Sequence, residues 1–133
     1  MDILSLLPHS RKLPIMHPAT KQPTGIVLTL CPGTDPRVQA VSNENRRMIE
    51  DYQGAGGIIN DEQTKDNALK LFAAMVIGWT WPEGVELGSI ANPECTPENV
   101  KQFLGTLDWA YLQVIEASKD EKAFFSDHAN VSA

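Results

Sequence analysis

The residues able to do chemistry are few, and their spacing does not assemble a catalytic set. His9, His17 and His128 are scattered through terminal and loop segments, with no HExxH pair and no Cys/His group at zinc spacing. Ser10 and Ser42 lack the glycines of a nucleophile elbow. Asp61-Glu62 and Asp120-Glu121 are adjacent acids at helix ends. The first pair fits stabilisation of a helix N-terminus, and neither needs a role in acid–base catalysis. Gly54-Ala55-Gly56-Gly57 is followed by neither Gly-Lys-Ser/Thr nor an immediate helix N-terminus, so it reads as a flexible linker rather than a phosphate loop. Cys31 and Cys95 stand far apart with no CxxC, as free thiols of a reducing cytosol do. The expectation is a protein that is not an enzyme and requires no metal, nucleotide or other cofactor.

What remains is aromatic. Trp79 and Tyr111 fall within apolar helical stripes and are expected in the core. Trp81, Trp109 and Phe124 fall outside the main stripes, and Leu112 lies about one helical turn beyond Trp109. A tryptophan and a leucine together on the far side of a helix imply a second buried surface. Trp81, Trp109, Leu112 and Phe124 are therefore the candidate protein-binding residues.

Charge narrows the partner. Residues 1–82 hold eight acidic and eight basic side chains, whereas residues 83–133 hold nine acidic and three basic, so the net charge of −6 lies in the C-terminal part. Nucleic acid is disfavoured, because affinity for phosphate needs clustered Lys and Arg. The N-terminal Met-Asp-Ile-Leu-Ser-Leu-Leu-Pro carries an acid and only a short apolar run, unlike a signal peptide. No later run approaches the ~20 residues that span a bilayer. A soluble, intracellular protein without membrane contact is expected.

The elements that must position these residues follow from pattern. Ile3 to Leu7 forms at most one amphipathic turn, ended by Pro8. Arg11 to Met16 reads as an extended segment that Pro14 confines to a sheet edge. After a Pro- and Gly-rich turn, Ile26 to Cys31 alternates Ile26, Leu28 and Leu30 on one face, completing a hairpin. Asp35-Pro36 opens a helix whose stripe is Val38, Val41, Met48, Ile49 and Tyr52, with Asn45 inside it as a hydrogen-bonded or boundary amide. A central helix is expected over Asp61 to Trp81, placing Ala68, Leu71, Phe72, Met75, Val76 and Trp79 on one face and becoming apolar all round after Leu71. Pro82 to Thr96 is a long loop, and Thr96-Pro97 caps the last helix. There Val100, Phe103, Leu104, Leu107, Tyr111, Val114 and Phe125 stay in phase. Gly105 weakens its middle, and Thr106 or Asp108 could cap a restart, so one kinked helix or two are compatible. The fold class expected is α+β: an N-terminal β-hairpin packed on a mainly α-helical body of three main helices. Residues 1–128 make a single domain, and 129–133 a frayed tail.

In this order the segments resemble a family. A hairpin with Pro23-Thr24-Gly25-Ile26 leads to a helix opened by Asp35-Pro36. An apolar segment ending Val76-Ile77-Gly78-Trp79 leads through a loop into Thr96-Pro97-Glu98-Asn99-Val100, and then to Trp109, Gln113-Val114 and Phe124-Phe125. This is similar to the small tail assembly chaperones of long-tailed, siphovirus-type bacteriophages, over most of residues 12–125. Pro14 and the glycines at 54–57 depart from the pattern. The resemblance implies a non-enzymatic protein that binds the long helical tape-measure protein, keeps it soluble and recruits tail-tube subunits. It also implies a tendency to form homo-oligomers, action in the host cell cytoplasm and absence from the mature virion. The alternatives are a structural tail or head–tail joining subunit of the virion, and an enzyme-free regulatory module.

Overall fold

The computed structural model describes residues 3–125; His128 and the expected tail at 129–133 lie outside them. Strands β1 (Arg11–Met16) and β2 (Pro23–Leu30) form the expected hairpin, antiparallel, with Leu13 opposite Leu28. Its turn is held by the backbone bonds His17 N to Gln22 O and Lys21 N to His17 O, both 2.9 Å. Helix α1 (Pro36–Gly54) starts where the Asp35 carboxylate accepts from Arg37 N and proline supplies the preset φ of the first turn. Helix α2 (Asp61–Met75) starts with a reciprocal cap: Asn60 accepts from Gln63 N while Gln63 accepts from Asn60 N.

The expected central helix over Asp61 to Trp81 is shorter than its pattern. It ends at Met75, and Val76–Thr80 is strand β3, paired antiparallel with β2 to give the sheet order β1-β2-β3. Two local features favour the switch: β-branched Val76 and Ile77 have stiff side chains suited to a pleated surface, and Gly78 weakens a helix. The tertiary reason is larger. Burying β2 with one unpaired edge would orphan its backbone polar groups, and β3 supplies their partners. The link begins at once, with Cys31 N donating to Met75 O at 2.8 Å. Val76 and Trp79 fit a helical stripe, being three residues apart, yet they also share a face of the strand, opposite Leu30 and Leu28, because the register shifts between them.

The final helix divides. Thr96 Oγ1 accepts from Asn99 N at 3.1 Å and opens α3 (Pro97–Thr106); after a break at Leu107, α4 runs Asp108–Lys119. Neither Thr106 nor Asp108 caps the restart; Leu107 occupies the cap position without a side-chain hydrogen bond. There are thus four α-helices among the described residues rather than three. The loop after β3 carries a small hairpin, β4 (Glu86–Leu87) with β5 (Ile90–Ala91).

Helices α3 and α4 cover the inner face of the sheet. Ile15, Leu28 and Leu30 are buried there with Val100, Phe103, Leu104, Ala110 and Val114. Each large side chain so buried contributes about 1.5–3 kcal/mol. The opposite face of the sheet is open, where Lys12 Nζ reaches Thr29 Oγ1 at 3.0 Å.

Two stripe assignments change. Met48 and Tyr52, expected on the buried face of α1, are 42% and 43% exposed, and Val38 is the one fully buried residue of that helix. At the other end, Phe124 is 3% exposed and Phe125 45%. The cause is a change of period: α4 stops at Lys119, and Glu121–Phe124 is a 3-10 turn. Three residues per turn instead of 3.6 rotate Phe124 inward. A backbone bond from His9 N to Phe124 O, 2.6 Å, ties this turn to the N-terminal segment.

Candidate protein-binding surface

The four candidate residues separate into three environments. Trp81, half-buried, packs edge-on against Phe103 and Trp79, with ring centroids 5.5 and 5.3 Å away. Trp79 is anchored in turn by its indole N–H, which donates to Pro93 O at 2.8 Å in the loop before α3. Trp81 thus contributes to a T-shaped aromatic cluster that joins β3 to α3. Phe124 lies in the core, so this candidate is corrected: it is not on an accessible surface. Trp109 and Leu112 do stand together on α4. Leu112 is 60% exposed, and half-buried Trp109 leans on the His17 ring at 5.8 Å in the hairpin turn. His17 is held in place because its Nδ1 accepts from the N–H groups of Ala19 and Thr20.

Beside Leu112, α4 and β1 enclose an open groove of about 400 Å³. Leu13, Pro14, Met16 and Ala117 give it an apolar lining, and Glu116 and Asp120 stand along the α4 side. Arg11 is engaged at one end, donating to Ala117 O at 3.5 Å and lying 3.8 Å from the Asp120 carboxylate. Gln113 closes the other end, bound to both backbone polar groups of Met16. Sequence reasoning missed Gln113. The signal available was Pro14, which marks β1 as an edge strand and so demands a cover for that edge.

A larger groove of about 700 Å³ lies between α1, α2, β3 and the start of α3, with Ala40, Val41, Ala73, Val76 and Cys95 among its lining. Its cations are already engaged: Arg37 with Asp35, and Lys70 and Lys101 with Asp66. The expected boundary amide is found here, with Asn45 Nδ2 donating to Asn67 O at 3.0 Å. Asn67 itself is 7% exposed, and neither atom of its side-chain amide has a partner.

The thiols are free, Cys31 buried and Cys95 half-buried. Burial, reinforced by the Asp35 charge, pushes the Cys31 thiol up to about 11, and burial also raises that of Cys95. Both therefore stay protonated near neutral pH, the less nucleophilic form. Among the described residues, His, Cys, Asp and Glu form no group of three or more able to hold a metal ion. Asp61 and Glu62 occupy the first turn of α2 and complement its dipole.

No protein-family model, curated protein or solved structure matches this chain. The fold is α+β, a three-stranded antiparallel sheet backed by helices. Among the described residues no helix is long and apolar enough to cross a membrane.

Proposed function

We propose that this protein is a phage tail assembly chaperone that binds the tape-measure protein, keeps it soluble and promotes tail-tube assembly. In this reading it is not an enzyme, acts in the host cytoplasm and leaves the completed tail. The observation that carries the reading is the α4–β1 groove. Leu112 is exposed beside an apolar lining, Trp109 stands braced by His17 at the head of the same helix, and acids border the α4 side. Such a surface fits one apolar stripe of a long amphipathic helix whose flanking residues are basic. The resemblance of residues 12–125 to tail assembly chaperones supplies the client's identity.

Co-expression with the long helical tape-measure protein tests this reading. The chaperone should raise the soluble fraction of the client and co-purify with it, and purified virions should lack the chaperone. A client equally insoluble with and without this protein overturns the proposal. Stoichiometric recovery from purified virions assigns it instead as a structural tail or head–tail joining subunit.

A further inference from the structure

Helix α1 is held to the rest of the fold along one narrow line. Val38 is buried, Val41, Asn45 and Ile49 are half-buried, and every other residue of the helix is exposed. Recurring at three or four residues, these side chains make a single seam, which runs chiefly against α2. Open clefts flank the seam. The groove of about 700 Å³ lies on one side, and on the other is a cleft of about 360 Å³ lined by Ser42, Ile49, Asn67 and Leu71 among others. Where Asn45 meets α2 the seam covers Asn67, whose buried amide has a donor and an acceptor both without partners. The closed seam thus withholds water from two strong polar groups and gives them nothing in exchange.

The ends of α1 have short, well-placed joints. Upstream, Cys31 is fixed to α2, its N–H donating to Met75 O at 2.8 Å. Two residues on, Gly33 is already tied to α1, its carbonyl accepting from Gln39 Nε2 at 2.8 Å. Downstream, Gly57 N donates to Tyr52 O at 2.9 Å, and Gly57 lies so close to the Tyr52 ring that a Cβ there would run into it. Asn60 belongs to α2 as its cap. The expected flexible linker at 54–57 is therefore bound to the end of α1, and the joint is the pair of residues after it, with Ile58 84% exposed.

We propose that residues 33–57 form a hinged lid. They swing off α2 as one body about Pro32-Gly33 and Ile58-Ile59. The orphaned amide of Asn67 sets how readily they do so, because opening gives both of its polar groups to water. Opening joins the two clefts into one strip along α2, through Ala68, Leu71 and Ala74. The lid lies apart from the α4–β1 groove, so its test depends on no client.

Native-state hydrogen exchange read by NMR tests the lid. In the wild type the amides of α1 should exchange through one shared opening, with protection roughly 100-fold or more below that of β2. Low urea should change the α1 values little while lowering those of β2, because lifting the lid exposes far less surface than global unfolding. Asn67→Leu replaces both orphaned groups by apolar surface and should raise the protection of α1 by about tenfold. Amides of α1 that exchange only together with β2, with the same response to urea, overturn the proposal, as does exchange graded inward from the helix ends. Asn67→Leu that folds by circular dichroism yet leaves α1 no better protected overturns it as well.

Discussion

The side chain of Gln113 behaves toward Met16 as a neighbouring strand would. Met16 N–H donates to Gln113 Oε1 at 2.9 Å, and Gln113 Nε2 donates to Met16 O at 2.8 Å. One amide thus satisfies both outward backbone groups at the end of β1, and Pro14, two residues earlier, has no N–H to satisfy. The free edge of the sheet is closed by a helix side chain and a proline rather than by another strand.

Gln113→Leu keeps much of the bulk but leaves two half-buried backbone groups without partners. Stability should fall by about 1–3 kcal/mol, read from the urea midpoint. The variant should also aggregate more readily as the β1 edge opens. An unchanged midpoint would show that water replaces the amide without loss.

The inward turn of Phe124 separates two neighbours that composition cannot distinguish. Phe124→Ala should destabilise by about 3–5 kcal/mol, as removal of a buried ring does. Phe125→Ala should cost within about 0.5 kcal/mol, as exposed substitutions do. Equal losses would contradict the 3-10 turn that sets their orientations.

Asp66 ties α2 to α3 through Lys101 at 2.6 Å, with Lys70 of its own helix at 3.3 Å. The Lys101 hydrogen bond, chiefly, holds the Asp66 carboxyl below its ordinary 3.8. A carboxyl lowered on folding adds stability above its unfolded pKa, and that stability is lost as pH falls through the folded value. The Asp66 and Lys101 side chains are 42% and 36% exposed, so solvent screening limits the contribution to about 1 kcal/mol or less. Asp66→Asn should therefore be slightly less stable than the parent near pH 7 and converge with it as the pH falls through the lowered Asp66 value. A constant difference across that range would mean that shape, not charge, is what the substitution changes.

Trp109→Ala should weaken client binding more than it weakens the fold. The ring is half-buried against His17, while interface tryptophans commonly carry about 2 kcal/mol or more of binding. A denaturant midpoint and a client pull-down form the paired measurement. Unfolding of the variant, with normal capture by the fraction that stays folded, would place Trp109 in the core alone.

The features readable in the sequence are those whose physics is local. Asp35-Pro36 and Thr96-Pro97 open their helices because a capping oxygen and a preset φ act within one turn. The hairpin follows from alternation in Ile26, Leu28 and Leu30, all buried as that pattern requires. Trp109 and Leu112 stand together on one helix because three residues are nearly one turn. What only the tertiary structure decided depends on partners distant in the chain. Val76 to Thr80 became a strand because β2 needed a second neighbour, an energy that no window over residues 61–81 contains. Phe124 and Phe125 exchanged roles because a change of helix type resets the phase. Gln113 found its role 97 residues from Met16, where a surface amide becomes the end of a sheet only once α4 is laid along β1.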